Sequence, residues 1–291
     1  SLRAVVDAPL VLTYHTKYDV DIAKAVRGKL LQESAIRALV QNIASCDEVW
    51  VVSRGAGENL RSLGYEGDYI VMENGVDVPR GRVSDEAIAA ATGRYDLPQN
   101  VPVFLFVGRL MWYKGIRIIL DALKTLREKN VDFRMVFVGE GADGAEIRSY
   151  AEEQKLSDRC FFTGAISDRE IIRAWYGRSD LFLFPSTFDT NGLVVREAAA
   201  SGTATVMIRN SCASEGVGDG RNGFCIKENA AAMAAKLEEL CRAPEVMQVV
   251  GENAQRELYV SWETAVQRAM ARYEVVIDNY RSGKYPKRER F

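Results

Sequence analysis

An α/β fold with two doubly wound parallel sheets in series is predicted by three features of the sequence. Short, wholly apolar segments such as LVLTY (10–14), VFLFV (103–107) and LFLF (181–184) alternate with amphipathic stretches almost from end to end. A strand that is apolar on both faces needs cover on both, and helices crossing between parallel strands supply it. The length, 291 residues, is more than one core usually organises, so two domains are expected.

In chain order, residues 10–14 read as a buried strand and 22–44 as one long helix, followed by a strand at 48–52. Ser53 is placed to cap a helix running to Leu63; residues 69–72 form a third strand, and Asn74-Gly75 is a turn signal. Residues 79–101 are polar, punctuated by Pro and Gly and interrupted by a small-residue helix, and read as the linker region. A second series follows, with strands at 103–107, 133–138, 161–163, 181–184 and 204–208. Between them lie helices at 116–129, 144–155, 168–177 and 193–200, and from residue 230 the chain is mostly helical to Tyr280.

Composition narrows the function. With 47% apolar residues, 27% charged residues and a net charge of -2, the chain is that of an ordinary globular protein. It lacks the basic excess of a nucleic-acid binder, and no apolar run approaches the roughly 18 residues that cross a bilayer. Five cysteines without a C-x-x-C pair and a single histidine, His15, argue against a metal site and fit a reducing cytoplasm.

In such sheets, ligands bind where strands end and helices begin. The loop after 103–107 carries Arg109 and Lys114, a planar fork and a point charge suited to a diphosphate, though solvated surface cations would look the same. The loop after 181–184 reads PSTFDTNG and enters a helix, so the amides at Asn191, Gly192 and Leu193 form an anion-binding helix start. Asp189 and Glu197 flank that start as acceptors for hydroxyl groups, or else as a helix cap and an exposed polar position. Residues 139–144 (GEGADG) match G-x-G-x-x-G after a strand, the dinucleotide pattern, which keeps an NAD-dependent oxidoreductase as an alternative. Glu140 and Asp143 would repel a pyrophosphate there, which favours a tight structural turn.

Taken together, the segments FVGRLMWYKG (106–115), FVGEGADG (137–144), FFTG (161–164), DTNGLVVREAAASGTATV (189–206) and DGRNGF (219–224) resemble glycosyltransferase family 4. TYHTKYD (13–19), VWVVSRGAGENL (49–60), VMENGVD (71–77) and Trp262 extend the match in the expected order. The resemblance implies a GT-B fold of two Rossmann-like domains and a retaining enzyme, here N-terminally truncated. It implies transfer of a hexosyl group from a nucleoside-diphosphate sugar, with uridine the expected base, to an acceptor hydroxyl.

By the same resemblance, Arg109 and Lys114 bind the diphosphate, Asn191, Gly192 and Leu193 contact the distal phosphate, and Glu197 holds the ribose. Asp189 and His15 are then the catalytic candidates beside the sugar, with no metal and no cofactor. One departure stands out: the family's paired acidic motif usually begins with Glu, and here the first member is Asp189, one methylene shorter.

Residues 1–80 are accordingly expected to form part of an acceptor-side domain joined by a C-terminal helix at 266–291. Residues 81–265 would be the linker and a complete donor domain. Three strands where six or seven are needed mark a fragment, expected to bind nucleotide sugar better than it transfers sugar. The basic run 281–291 with Tyr285 and Phe291 permits peripheral contact with an anionic membrane from a cytoplasmic location, or a solvated tail. The acceptor, whether glycan, lipid or small molecule, is open, as is a non-catalytic nucleotide-sugar binding module.

Overall fold

The computed structural model describes residues 7–285. The chain divides into two compact units, residues 1–75 with 262–291, and residues 76–261. Among the described residues no helix is long and apolar enough to cross a membrane. The basic run 281–291, read as a membrane contact or a solvated tail, lies from residue 286 onward outside them.

In the first unit, β1 (Val11–Tyr14), β2 (Glu48–Val51) and β3 (Ile70–Val71) form a parallel sheet in the order β1-β2-β3. The single helix expected over 22–44 is two, α1 (Tyr18–Ala25) and α2 (Lys29–Ala44). The break is at Gly28, whose φ of 98° lies outside the helical region and suits a residue without Cβ. Ser53 caps α3 (Arg54–Ser62) as expected, its hydroxyl accepting the Ala56 amide at 3.0 Å. Tyr14, Ile43, Val49, Val51 and Leu60 fill the core between sheet and helices.

The C-terminal helix, Trp262–Arg281, belongs to this unit, and charged side chains tie it there, among them Arg268 to Glu73 at 3.5 Å and Arg272 to Glu48. Arg272 forks onto the Glu48 carboxylate, its Nε donating to Oε2 at 2.9 Å, while Trp50 Nε1 donates to the same oxygen at 2.7 Å. The Trp50 and Tyr273 rings pack beside them at 4.8 Å.

The second unit carries α4 (Asp85–Thr92), β4 (Val103–Val107), α5 (Ile116–Glu128), β5 (Arg134–Val138), α6 (Gly144–Glu153), β6 (Cys160–Gly164) and α7 (Arg169–Arg178). It continues with β7 (Leu181–Phe184), α8 (Leu193–Ala200), β8 (Ala204–Ile208), β9 (Phe224–Ile226), α9 (Ala230–Arg242) and α10 (Pro244–Glu257). All six strands are parallel, in the order β6-β5-β4-β7-β8-β9. β9 is a strand that the sequence pattern alone does not reveal, because it is three residues long and lies among Gly and Asn.

Period-two alternation sorts the sheet's side chains into two cores. Phe104, Phe106, Met135, Phe137, Leu181, Leu183 and Val206 face one helical layer. Val103, Leu105, Val107, Val136, Val138, Phe182 and Phe184 face the other, where Trp175 and Tyr176 of α7 pack. The chain runs outward from β4 to β6 and then returns to β7 on the other side of β4. That reversal is the point at which doubly wound sheets open a crevice at their carboxyl ends.

The Arg272–Glu48 contact gives a pH-dependent prediction. Burial pushes the Glu48 carboxyl up, but hydrogen bonds from Arg272 and Trp50 more than offset this and hold it below the ordinary carboxylate value. A native pKa lowered in this way stabilises the fold above the unfolded carboxylate range and is lost as pH falls through the native value. Arg272→Ala is expected to cost about 2 kcal/mol in urea unfolding at pH 7. The gap to wild type should narrow as pH falls through the native value; a gap that stays constant into acid would show that charge is not what holds the helix.

Candidate functional site

The reversal between β4 and β7 sets two loops side by side at the carboxyl edge of the sheet. The first, residues 108–115, leaves β4 and makes a single 3-10 turn over Trp112–Lys114 before α5. The second, residues 185–192, leaves β7 and enters α8 through Gly192, whose left-handed φ of 61° turns the chain into the helix. Gly192 is also packed in close: a Cβ there would stand 2.7 Å from that of Ala213.

Residues 139–144 brace the first loop. The Leu110 amide donates to the Glu140 carbonyl at 3.0 Å, and the Trp112 amide to Asp143 Oδ2 at 2.8 Å. A Cβ on Gly139 would lie 2.0 Å from the Gly108 carbonyl oxygen, and one on Gly141 2.3 Å from that of Leu110. Gly139 and Gly141, the first two glycines of the G-x-G-x-x-G match, thus let one loop lie against the next, as a tight structural turn requires.

Lys114 and Asp189, 75 residues apart, meet directly: Nζ lies 2.5 Å from Oδ1. Lys114 is only 9% exposed, and its ammonium sits 5.8 and 6.0 Å from the ring centres of Tyr113 and Phe188. The other carboxylate oxygen, Oδ2, accepts the Ser186 hydroxyl at 2.5 Å, and Ser186 is 1% exposed. From the sequence, lysine and aspartate stood as separate contacts to phosphate and sugar; the fold makes them partners of each other.

Asn191 is nine-tenths buried, and its Nδ2 has no hydrogen-bond partner among the described residues. Leu193, the first residue of α8, is exposed, as is Arg109 on the neighbouring loop. Glu197, one turn into α8, is largely buried and accepts the Tyr176 hydroxyl at 3.3 Å. Burial raises its carboxyl above the ordinary value, with Tyr176 and Arg169 only partly compensating. The Tyr176 hydroxyl, fully enclosed next to that carboxylate, is pushed well up and stays a donor.

The fold thus gathers Arg109, Lys114, Asp189, Asn191, Gly192, Leu193 and Glu197 on two adjacent loops and one helix. His15 is not among them: it follows β1 in the first unit and is exposed. Among the described residues no group of three or more His, Cys, Asp or Glu side chains is arranged to hold a metal ion. Two participants go unnoticed in the sequence. Ser186 stands in plain view after β7 but looks like any loop serine, and Tyr176 lies 21 residues from Glu197 with no local signal.

Comparison with known proteins agrees with this architecture. D-inositol 3-phosphate glycosyltransferase of Streptomyces avermitilis is 29% identical over 287 residues, which cover 94% of this chain and 61% of that protein. Alpha-monoglucosyldiacylglycerol synthase of Streptococcus pneumoniae is 23% identical over 242 residues, 82% of this chain and 55% of its own. The chain thus spans about three fifths of the length of these relatives. In fold it is similar to HepE of Anabaena, solved in complex with UDP, with a TM-score of 0.79 and 20% identity over 92% of this chain and 72% of that one. The family model for glycosyl transferases group 1 matches residues 90–257, more than half of the chain and almost all of the second unit. The protein belongs to that family.

Proposed function

We propose that the chain binds a nucleoside-diphosphate sugar, with UDP as the nucleotide, on its second unit, and serves transfer of the hexosyl group to an acceptor hydroxyl with retention. The observation that carries this reading is the meeting of the two-cation loop with the PSTFDTNG loop and the start of α8 at the sheet's reversal point. The structures of HepE with UDP and with UDP-glucose support a sugar nucleotide as donor, and the names of the two relatives support sugar transfer. Their acceptors differ, an inositol phosphate in one name and a glyceride in the other, so the acceptor is assigned only as a hydroxyl compound.

The chemistry demanded is stabilisation of a departing diphosphate whose charge grows as the glycosidic bond breaks. In this reading Arg109 forks to one phosphate and Lys114 places a point charge beside the other. The free amides at Gly192 and Leu193 add the positive end of α8, a donor set that needs no side chain. Glu197, held by Tyr176, presents its carboxylate to the ribose hydroxyls. Asp189 faces the sugar, and His15 of the first unit is carried as the second catalytic candidate on the family resemblance. Cations and helix dipole together neutralise the leaving group, so we assign metal-independent binding.

Titration calorimetry with UDP tests the assignment. Arg109→Ala and Lys114→Ala are each expected to weaken binding at least tenfold, about 1.4 kcal/mol, and wild-type affinity should persist in excess chelator. Unchanged titrations of both variants, or binding restored only by magnesium or manganese, would overturn it.

Glu197 gives a second prediction, with opposite effects on stability and binding. Its raised native pKa means that the folded state holds the proton more readily than the unfolded chain. The ionised carboxylate therefore costs stability increasingly as pH rises from the unfolded value through the native one. Glu197→Gln should raise the melting temperature at pH 7 while weakening UDP binding about fivefold. A variant that binds UDP like wild type would remove Glu197 from the ribose site.

A further inference from the structure

We propose that Asp189 is a resident counter-ion for Lys114 that an arriving diphosphate displaces, and that Ser186 is the positioning residue that keeps the released carboxylate aimed at the sugar. The inference rests on the nucleotide-sugar reading above and adds how the two halves of the donor are read together.

A lysine only 9% exposed needs an anion beside it, because an unpaired ammonium in that setting is costly. Asp189 provides it through Oδ1 at 2.5 Å. The lysine also touches the loop that starts α8, where a phosphate would be received. Aspartate and diphosphate therefore compete for one ammonium. Lysine can follow the stronger anion, since its head is a compact charge with three rotatable donors on a flexible stem.

Once the lysine turns to the phosphate, the carboxylate is left beside negative charge and must point away from it or find a donor. Ser186 decides the outcome. Buried to 1% exposure, it donates to Oδ2 at 2.5 Å, a contact that does not depend on Lys114. The oxygen vacated is Oδ1, which then accepts a sugar hydroxyl. The short aspartate side chain suits this arrangement, because it keeps the carboxylate within reach of a hydroxyl three residues earlier in the loop.

Two consequences follow from the exchange. UDP alone must break the Lys114–Asp189 pair and leaves Oδ1 without a donor, whereas a nucleotide sugar supplies one. The carboxylate therefore opposes UDP and favours the nucleotide sugar.

The experiment measures dissociation constants for UDP and for a panel of UDP-glucose, UDP-galactose, UDP-N-acetylglucosamine and GDP-mannose. It uses wild type, Asp189→Asn and Ser186→Ala, with melting temperatures to confirm folding. Asp189→Asn is expected to bind UDP about threefold more tightly and to lose the preference for the best nucleotide sugar. Ser186→Ala should leave UDP binding within about twofold while cutting the nucleotide-sugar preference about fivefold. Weaker UDP binding by Asp189→Asn would overturn the exchange. An equal loss for both ligand types in Ser186→Ala would reduce that serine to a structural role. A wild-type chain that binds neither UDP nor any member of the panel would instead remove the nucleotide-sugar reading itself.

Discussion

The candidate site depends on the pairing of β4 with β7, two strands far apart in sequence whose register sets Phe104 opposite Leu181 and Leu105 opposite Phe182. The pair is locked at its amino end, where Asp180 Oδ2 accepts the Val103 amide at 2.8 Å and the Asp180 amide donates to the Val103 carbonyl at 2.9 Å. At the carboxyl end the two strands deliver their loops to one another, and the Lys114–Asp189 contact bridges them. A one-residue slip of β7 would send Phe182 and Phe184 into the opposite core and move the PSTFDTNG loop off its partner. The hydrophobic sorting of the sheet therefore sets the position of a charged pair that contains no hydrophobic atom of the strands.

Three neighbouring loops share the work of holding Lys114. The 139–144 loop lies against residues 108–112 closely enough to exclude any Cβ at Gly139 or Gly141. Asp143, placed where it would ordinarily cap α6, makes no side-chain bond to its own helix and accepts the Trp112 amide instead. That bond fixes the start of the 3-10 turn whose last residue is Lys114. Rigid support of this kind is what a binding site needs if its charged head is to move and its backbone is not.

Much of this was legible in the sequence, and the parts that were not share a cause. The strands Val103–Val107, Leu181–Phe184 and Ala204–Ile208 and the helix Leu193–Ala200 read directly, because each is a strongly patterned local segment. The helix over 22–44 read as continuous because Gly28 counts as one poor residue in a long periodic run, while its φ is a property of the fold. Both loops of the candidate site were visible as motifs, and their residues could be named. That Lys114 would be paired with Asp189, that Ser186 would hold the other oxygen, and that Tyr176 would reach Glu197 were not visible. Each is a contact between elements, decided by strand order and not by local spacing.

Charge explains why those contacts carry so much of the site's character. The whole chain has a net charge of -2, so no long-range field draws a diphosphate toward it. The site itself is nearly balanced, with Arg109 and Lys114 against Asp189 and Glu197. Attraction for an anion must therefore be local and geometric. In the proposed reading it comes from amides at a helix start, whose partial charge extends about one turn, and from a lysine whose neutralising partner can be exchanged. A strongly cationic pocket would hold any phosphate. A balanced one, in which Lys114 already has an anion to lose, answers best to a ligand that replaces the lost contact with one of its own. A nucleotide that carries a sugar has hydroxyl donors to offer in the same place, which links the local charge balance to selection of the complete donor.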